Sequence, residues 1–138
     1  MPVIDITCII DDDPIHVFGV KRILTLSNFT RSCMIFKNGQ EALDNLRPIL
    51  ISGTRVPEII LLDINMPIMD GWEFLEEFVK IPTSKTVTIY IVSSSIDPAD
   101  IDRAKAYEAV SNYIIKPVTF ESLKTIMADF TENEESGE

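Results

Sequence analysis

The stretch IDITCIIDDDP, from Ile4 to Pro14, sets an isoleucine-rich run directly before three aspartates and a proline. Apolar runs of this length suit strands of a parallel sheet covered on both faces. Such sheets place their sites at the carboxyl ends of their strands, which is where Asp11, Asp12 and Asp13 would stand. A second run, EIILLD from Glu58 to Asp63, also ends in a carboxylate. Carboxylates gathered at one sheet edge repel one another. At an effective dielectric of about 20, two unit charges about 4 Å apart cost roughly 4 kcal/mol. A hard cation with a taste for oxygen ligands, Mg²⁺ or Ca²⁺, relieves that repulsion.

Working outward, apolar β-rich runs recur at Ile4–Ile10, Ser32–Phe36, Glu58–Leu62, Thr86–Val92 and Asn112–Ile115, with helix-patterned segments between them. Asp13 and Pro14 supply an N-cap and a first-turn proline for a helix running to about Ser27. Asn38 with Glu41, and Asp70 with Glu73, have capping-box spacing. The helix after Asn38 is expected to end or distort near Pro48. Asp97-Pro98 opens a fourth helix carrying Ile101, Ala104 and Ala109, and Thr119 caps a fifth. Alternating strands and helices with right-handed crossovers imply an α/β fold. The expectation is a doubly wound, five-stranded parallel sheet of order 2-1-3-4-5, a flavodoxin-like (βα)5 unit. The domain is expected over 3–131, with 132–138 (ENEESGE) an acidic, disordered tail.

The chain has 138 residues, 46% of them hydrophobic, and a formal charge of −10. That length fits one domain. The charge argues against a nucleic-acid partner, which needs clustered Lys and Arg, and against an anionic membrane surface. No run approaches a membrane span and no signal peptide is visible, so a cytoplasmic location is expected. Cys8 and Cys33 fall in predicted strands and are expected to be reduced and buried.

The remaining strand ends carry matching chemistry. The fourth run leads into Ser93-Ser94-Ser95 and the fifth into Lys116-Pro117. Several carboxylates, a hydroxyl and one ammonium would then share a single cleft. No Ser–His nucleophile pair and no glycine-rich phosphate loop occurs. His16, the only histidine, is assigned to surface or packing. A carboxylate can itself attack phosphorus, given a divalent cation for the phosphoryl oxygens and a cationic side chain to hold them.

The motifs IIDDDP at 9–14, LLDINMPIMDGWEF at 61–74, IVSSS at 91–95 and YIIKP at 113–117 occur in one order along the chain. Together they make the sequence resemble a response-regulator receiver domain of the CheY-like kind, the phosphoacceptor part of a two-component system. The resemblance implies that Asp63 is the phosphorylated residue. It implies that Asp12 binds Mg²⁺ directly, Asp11 through water and Asn65 through its backbone carbonyl, with Asp63 completing the site. Ser93 would be the switch hydroxyl, Lys116 the phosphate-contacting lysine and Tyr113 the aromatic switch residue. A cis peptide is implied between Lys116 and Pro117.

By the same resemblance the partner would be a histidine kinase or a histidine phosphotransfer protein. The output would be a downstream protein target or onward phosphorelay, through the surface of the fourth helix, fifth strand and fifth helix. The chain is expected to stand alone, as a monomer or a weak phosphorylation-dependent dimer. It would catalyse its own phosphorylation and slow dephosphorylation without being an enzyme in the usual sense. Ser94 stands where the family often has Ala or Gly, so a slowed loss of the phosphoryl group is expected. A phosphohydrolase with an Asp nucleophile would want a second carboxylate at position 65, where Asn65 stands. An unphosphorylated interaction module would be expected to have lost one of the acids or the lysine.

Overall fold

The computed structural model describes residues 4–136, with side chains described to residue 131. Five strands, β1 (Ile4–Ile10), β2 (Thr30–Phe36), β3 (Ile59–Leu62), β4 (Thr88–Ser93) and β5 (Val110–Ile115), form one sheet of order β2-β1-β3-β4-β5. Every neighbouring pair is parallel. Five helices alternate with them: α1 (Pro14–Leu26), α2 (Gly39–Ser52), α3 (Gly71–Phe78), α4 (Pro98–Ala104) and α5 (Phe120–Ser136). The doubly wound, flavodoxin-like architecture expected from the apolar runs is the one observed.

Because side chains alternate across a strand, each face of the sheet builds its own core. Cys8, Ile10, Ile60, Leu62, Ile89 and Ile91 pack on one face with Leu43 and Leu46 of α2 and Phe74 and Leu75 of α3. Ile9, Ile59, Leu61, Tyr90 and Val92 pack on the other with Val20 and Leu24 of α1 and Leu123 and Ile126 of α5. Each fully buried aliphatic side chain contributes on the order of 1.5–3 kcal/mol. Both cysteines are free, and Cys8 is fully buried. One polar node interrupts the second core. The Tyr90 hydroxyl donates to Asp129 of α5 at 2.7 Å, and the Ser111 hydroxyl donates to the same carboxylate. On the first face the single tryptophan, Trp72, stacks on Tyr107 with ring centroids 6.1 Å apart. The Arg103 guanidinium of α4 lies 4.6 Å from the indole centre.

Local sequence accounts for most boundaries. Asp13 caps α1, accepting from the backbone N–H of Ile15 and His16, and Pro14 occupies the first turn. Asp70 and Glu73 form a reciprocal capping box on α3. Four strands start one or two residues from the expected position, and three helix ends differ from the pattern. Helix α2 passes through Pro48 and ends at Gly53, which takes the left-handed conformation at φ 72°. The buried Leu46 and Leu50 on either side of the proline hold the last turn against the sheet, which outweighs the backbone hydrogen bond that proline cannot make. Helix α4 ends at Ala104, so Ala109 lies beyond it: hydrogen bonds of i→i−3 type from Lys105, Ala106 and Tyr107 tighten the chain before β5 begins at Val110. Helix α5 continues to Ser136, past the boundary expected at 131, in keeping with the helix propensity of its glutamates. Gly137 and Glu138, the end of the expected acidic tail, lie outside the described residues. Among the described residues no helix is long and apolar enough to cross a membrane.

Candidate functional site

The chain leaves β1 towards β2 on one side and later crosses to β3 on the other, so β1 and β3 flank the switch point of the sheet. Their register pairs Ile10 with Leu62, and the Asp63 N–H donates to the Ile10 carbonyl at 2.9 Å. Asp11 and Asp63 therefore emerge side by side. Both are buried, at 4% exposure each, while Asp12 is exposed. One carboxylate oxygen from each of Asp11, Asp12 and Asp63 lies within 4.8 Å of the others.

Lys116 reaches this cluster from the end of β5. Its backbone N–H donates to the Ser93 carbonyl at 2.9 Å, tying the loop to the end of β4, and its peptide bond to Pro117 is cis. Its Nζ lies 3.1 Å from Asp11 Oδ2 and 3.4 Å from Asp63 Oδ2, so one ammonium bridges two carboxylates. Asp11 is further held by the Asp13 N–H on Oδ1 at 2.9 Å and by His16 Nδ1 against Oδ2 at 2.8 Å. Asp63 Oδ1 accepts from the Asn65 N–H at 3.2 Å.

These contacts divide the two buried acids. Burial alone would raise the Asp11 carboxyl, but the bonds from His16 and Asp13 and the charge of Lys116 outweigh it, and the group is held below its usual range. Asp63 moves the other way. Burial raises it, the Asn65 N–H lowers it, the Asp11 charge raises it again, and Lys116 only partly compensates. Burial would lower the Lys116 ammonium, yet the two carboxylates beside it leave it raised and firmly charged. Asp63 is thus the acid whose charge is least well satisfied, and any added positive charge benefits it most.

Ser93 is fully buried, and its Oγ accepts from the Ser95 N–H at 3.1 Å. Tyr113 of β5 is half-buried and bonds the loop after β4 rather than the carboxylates, since its hydroxyl donates to the Ser95 carbonyl at 2.9 Å. Asn65 stands in the turn beyond Asp63. Asp13 caps α1 and takes no place among the clustered oxygens. Two residues gain roles that their sequence positions did not convey. His16, expected at the surface or in packing, has a largely buried ring bonded to Asp11, because a helix starting at Pro14 turns its first residues back over the end of β1. Gly71, which in sequence only follows the Asp70 cap at a helix start, seats the start of α3 directly on the backbone of Asp63 and Ile64.

Residues 7–128 match the family described as response regulator receiver domain. The probable methanogenesis regulatory protein FilR2 of Methanothrix harundinacea is 28% identical over 127 residues, covering 92% of this chain and 81% of that protein. The transcriptional regulatory protein PrrA of Mycobacterium leprae is 34% identical over 116 residues, covering 83% of this chain but 45% of its own length. The sensor histidine kinase CheAY of Helicobacter pylori is 35% identical over 91 residues, 65% of this chain and 11% of that one. The chain thus spans less than half the length of several curated relatives. Among solved structures, a two component response regulator from Cytophaga hutchinsonii superimposes with a TM-score of 0.84 at 30% identity, covering 94% of this chain and 98% of that one. The phosphorylated cyanobacterial phytochrome response regulator RcpA gives a TM-score of 0.73 at 28% identity, with 88% and 87% covered.

Proposed function

The chain belongs to the response regulator receiver domain family, and from that premise we propose that Asp63 accepts a phosphoryl group from a phosphohistidine. The donor would be a histidine kinase or a histidine phosphotransfer protein. The observation that carries this reading is Asp63 itself, a buried carboxylate with a raised carboxyl, bridged by Lys116 to a second buried acid. An Asp63 oxygen attacks phosphorus; the new O–P bond forms as the P–N bond to the donor imidazole breaks, and the leaving imidazole takes up a proton. Lys116 would take a phosphoryl oxygen with the ammonium that now bridges the carboxylates.

The acidic cluster fits a divalent cation, because it gathers three carboxylate oxygens within 4.8 Å of one another while a single ammonium contacts only two of the three residues. Asp11, Asp12, Asp63 and the Asn65 carbonyl would hold Mg²⁺. When bound, the ion supplies the positive charge that the transferred oxygens need. The Ser93 hydroxyl then bonds the phosphoryl group, and the loop joined to it biases Tyr113 and the surface of α4, β5 and α5. Signalling runs through that surface to another protein, or the phosphoryl group is passed on.

Intact-protein mass spectrometry after incubation with acetyl phosphate tests the reading. A gain of one phosphoryl mass is expected with Mg²⁺, not without it, and not in Asp63→Asn. No gain from acetyl phosphate together with no binding of beryllofluoride would overturn it.

A further inference from the structure

Ser95 stands two residues beyond Ser93, outside the acidic cluster, and every polar group it owns is engaged. Its N–H donates to Ser93 Oγ at 3.1 Å. Its carbonyl accepts from the Tyr113 hydroxyl at 2.9 Å. Its hydroxyl donates to Asp100 Oδ2 in α4 at 2.7 Å and accepts from the Asp97 N–H, the cap of that helix, at 3.2 Å. One serine therefore joins the end of β4, the start of α4 and the middle of β5.

The direction of these bonds has a chemical meaning. A hydroxyl offers one proton and two lone pairs. The Ser95 N–H occupies a lone pair of Ser93 Oγ, which leaves the Ser93 proton available for an incoming anion. The backbone groups that do this, and that hold Tyr113, are fixed in space only if the loop is fixed. The side chain of Ser95 is the part of the loop anchored to α4. An O–H bonded to an ionised carboxylate at 2.7 Å belongs to the stronger class of hydrogen bonds.

We propose that Ser95 and Asp100 are positioning residues: their side-chain bond sets Ser93 as a donor and seats Tyr113 before any phosphoryl group arrives. This inference rests on the phosphoacceptor reading of Asp63 and deepens it. In its absence the loop would sample other positions, and part of the binding energy of the anion would go into ordering it.

Two readouts test this on the full chain. The first is the affinity for beryllofluoride in the presence of Mg²⁺. Ser95→Ala and Asp100→Ala should each weaken it by about 3- to 10-fold, the scale of one lost hydrogen bond. The double variant should be no weaker than Ser95→Ala alone, because the bond that Asp100→Ala removes is already broken there. Ser95→Thr keeps the hydroxyl and Asp100→Asn keeps an acceptor oxygen, so both should stay within about twofold of the unaltered protein. A role of Asp100 in helix electrostatics alone would leave Asp100→Asn as weak as Asp100→Ala. The second readout is the ¹⁹F spectrum of fluorotyrosine-labelled protein without metal or beryllofluoride, with Tyr113 assigned by Tyr113→Phe. The unaltered protein should show a single Tyr113 position, and Ser95→Ala a shifted or second one. An unchanged Tyr113 signal with unchanged affinity, or additive losses in the double variant, would overturn the proposal. Should the unaltered protein neither bind beryllofluoride nor gain a phosphoryl mass from acetyl phosphate, the phosphoacceptor reading falls, and the metal-free ¹⁹F comparison still decides whether Ser95 seats Tyr113.

Discussion

Two glycine-to-alanine substitutions should move stability in opposite directions. At Gly71, the first residue of α3, an added Cβ would lie 2.7 Å from the Asp63 carbonyl oxygen and 2.7 Å from Ile64 Cα. Ordinary contacts between such atoms begin near about 3.5 Å. Both neighbours are backbone, so neither can rotate aside, and α3 would have to retreat by most of an ångström. Overpacking of this kind costs about 1–3 kcal/mol. The retreat also strains the 3.0 Å bond from the Gly71 N–H to the Ile64 carbonyl, which carries a further net contribution of about 1 kcal/mol. The intrinsic gain of alanine in a helix, at most about 1 kcal/mol, offsets only part of that. A net loss of about 1–3 kcal/mol is expected for Gly71→Ala. Gly19 lies inside α1, and nothing stands within 4 Å of its would-be Cβ. There Gly19→Ala should gain about 0.5–1 kcal/mol. With urea slopes of about 1–3 kcal/mol per molar, the first midpoint should fall by roughly 1 M and the second rise by a few tenths. A Gly71→Ala midpoint at or above that of the unaltered protein would refute the close-approach argument. Because the displaced backbone is that of Asp63, phosphoryl uptake from acetyl phosphate should also slow in the fraction of Gly71→Ala that remains folded.

Further outcomes follow from the charges and the backbone. With metal removed by chelation at pH 7, Asp63→Asn should raise the urea midpoint and Asp11→Asn should lower it, because the two carboxyls are shifted in opposite directions. A carboxyl raised by folding favours the folded state below its unfolded value, and that benefit is gone once pH rises through the folded value; a lowered carboxyl contributes above the ordinary range and loses its contribution as pH falls through its folded value. Equal effects of the two variants would contradict this division. Ile68, a β-branched residue at φ 69° with 79% of its surface exposed, should yield about 1 kcal/mol of added stability on replacement by glycine, read in the same urea assay. Burial raises both the Cys8 thiol and the Tyr90 phenol, with the Asp129 carboxylate adding to the latter. The unfolded chain therefore ionises first, and stability should fall as pH rises above about 9, less steeply in Tyr90→Phe. Ser94 is exposed beside Ser93. Ser94→Ala should shorten the life of the phosphoryl group by opening a path for water, and an unchanged lifetime would remove that role.

The strands were legible because parallel strands buried on both faces leave near-continuous apolar runs: Ile59–Leu62 is unbroken, and Ile4–Ile10 is interrupted only by Asp5 and Thr7. The grouping of Asp11, Asp12 and Asp63 was legible because strand order sets β1 beside β3, while Lys116 stands on the edge strand β5 and its long side chain closes the remaining gap. What pattern could not convey is tertiary in origin. Pro48 stays helical because the leucines around it are buried, a fact about the sheet beneath and not about the helix. His16 carries no local mark of its bond to Asp11; a histidine one turn into a helix that starts at the candidate site is the one hint available. Gly71 matters for what lies 2.7 Å away, and Ser95 for four partners, none of which periodicity registers.

The chain's only indole sits between α3, which starts on the Asp63 backbone, and α4, which is tied to the loop at Ser95. Trp72 is 7% exposed, with the Arg103 guanidinium over its face and the Tyr107 ring stacked beside it. The emission of a sheltered indole depends on the charge and polarity immediately around it, and here a full positive charge on the neighbouring helix supplies much of that setting. Native fluorescence is therefore an unlabelled gauge of the α3–α4 spacing, reporting from a single known position whenever the two helices part.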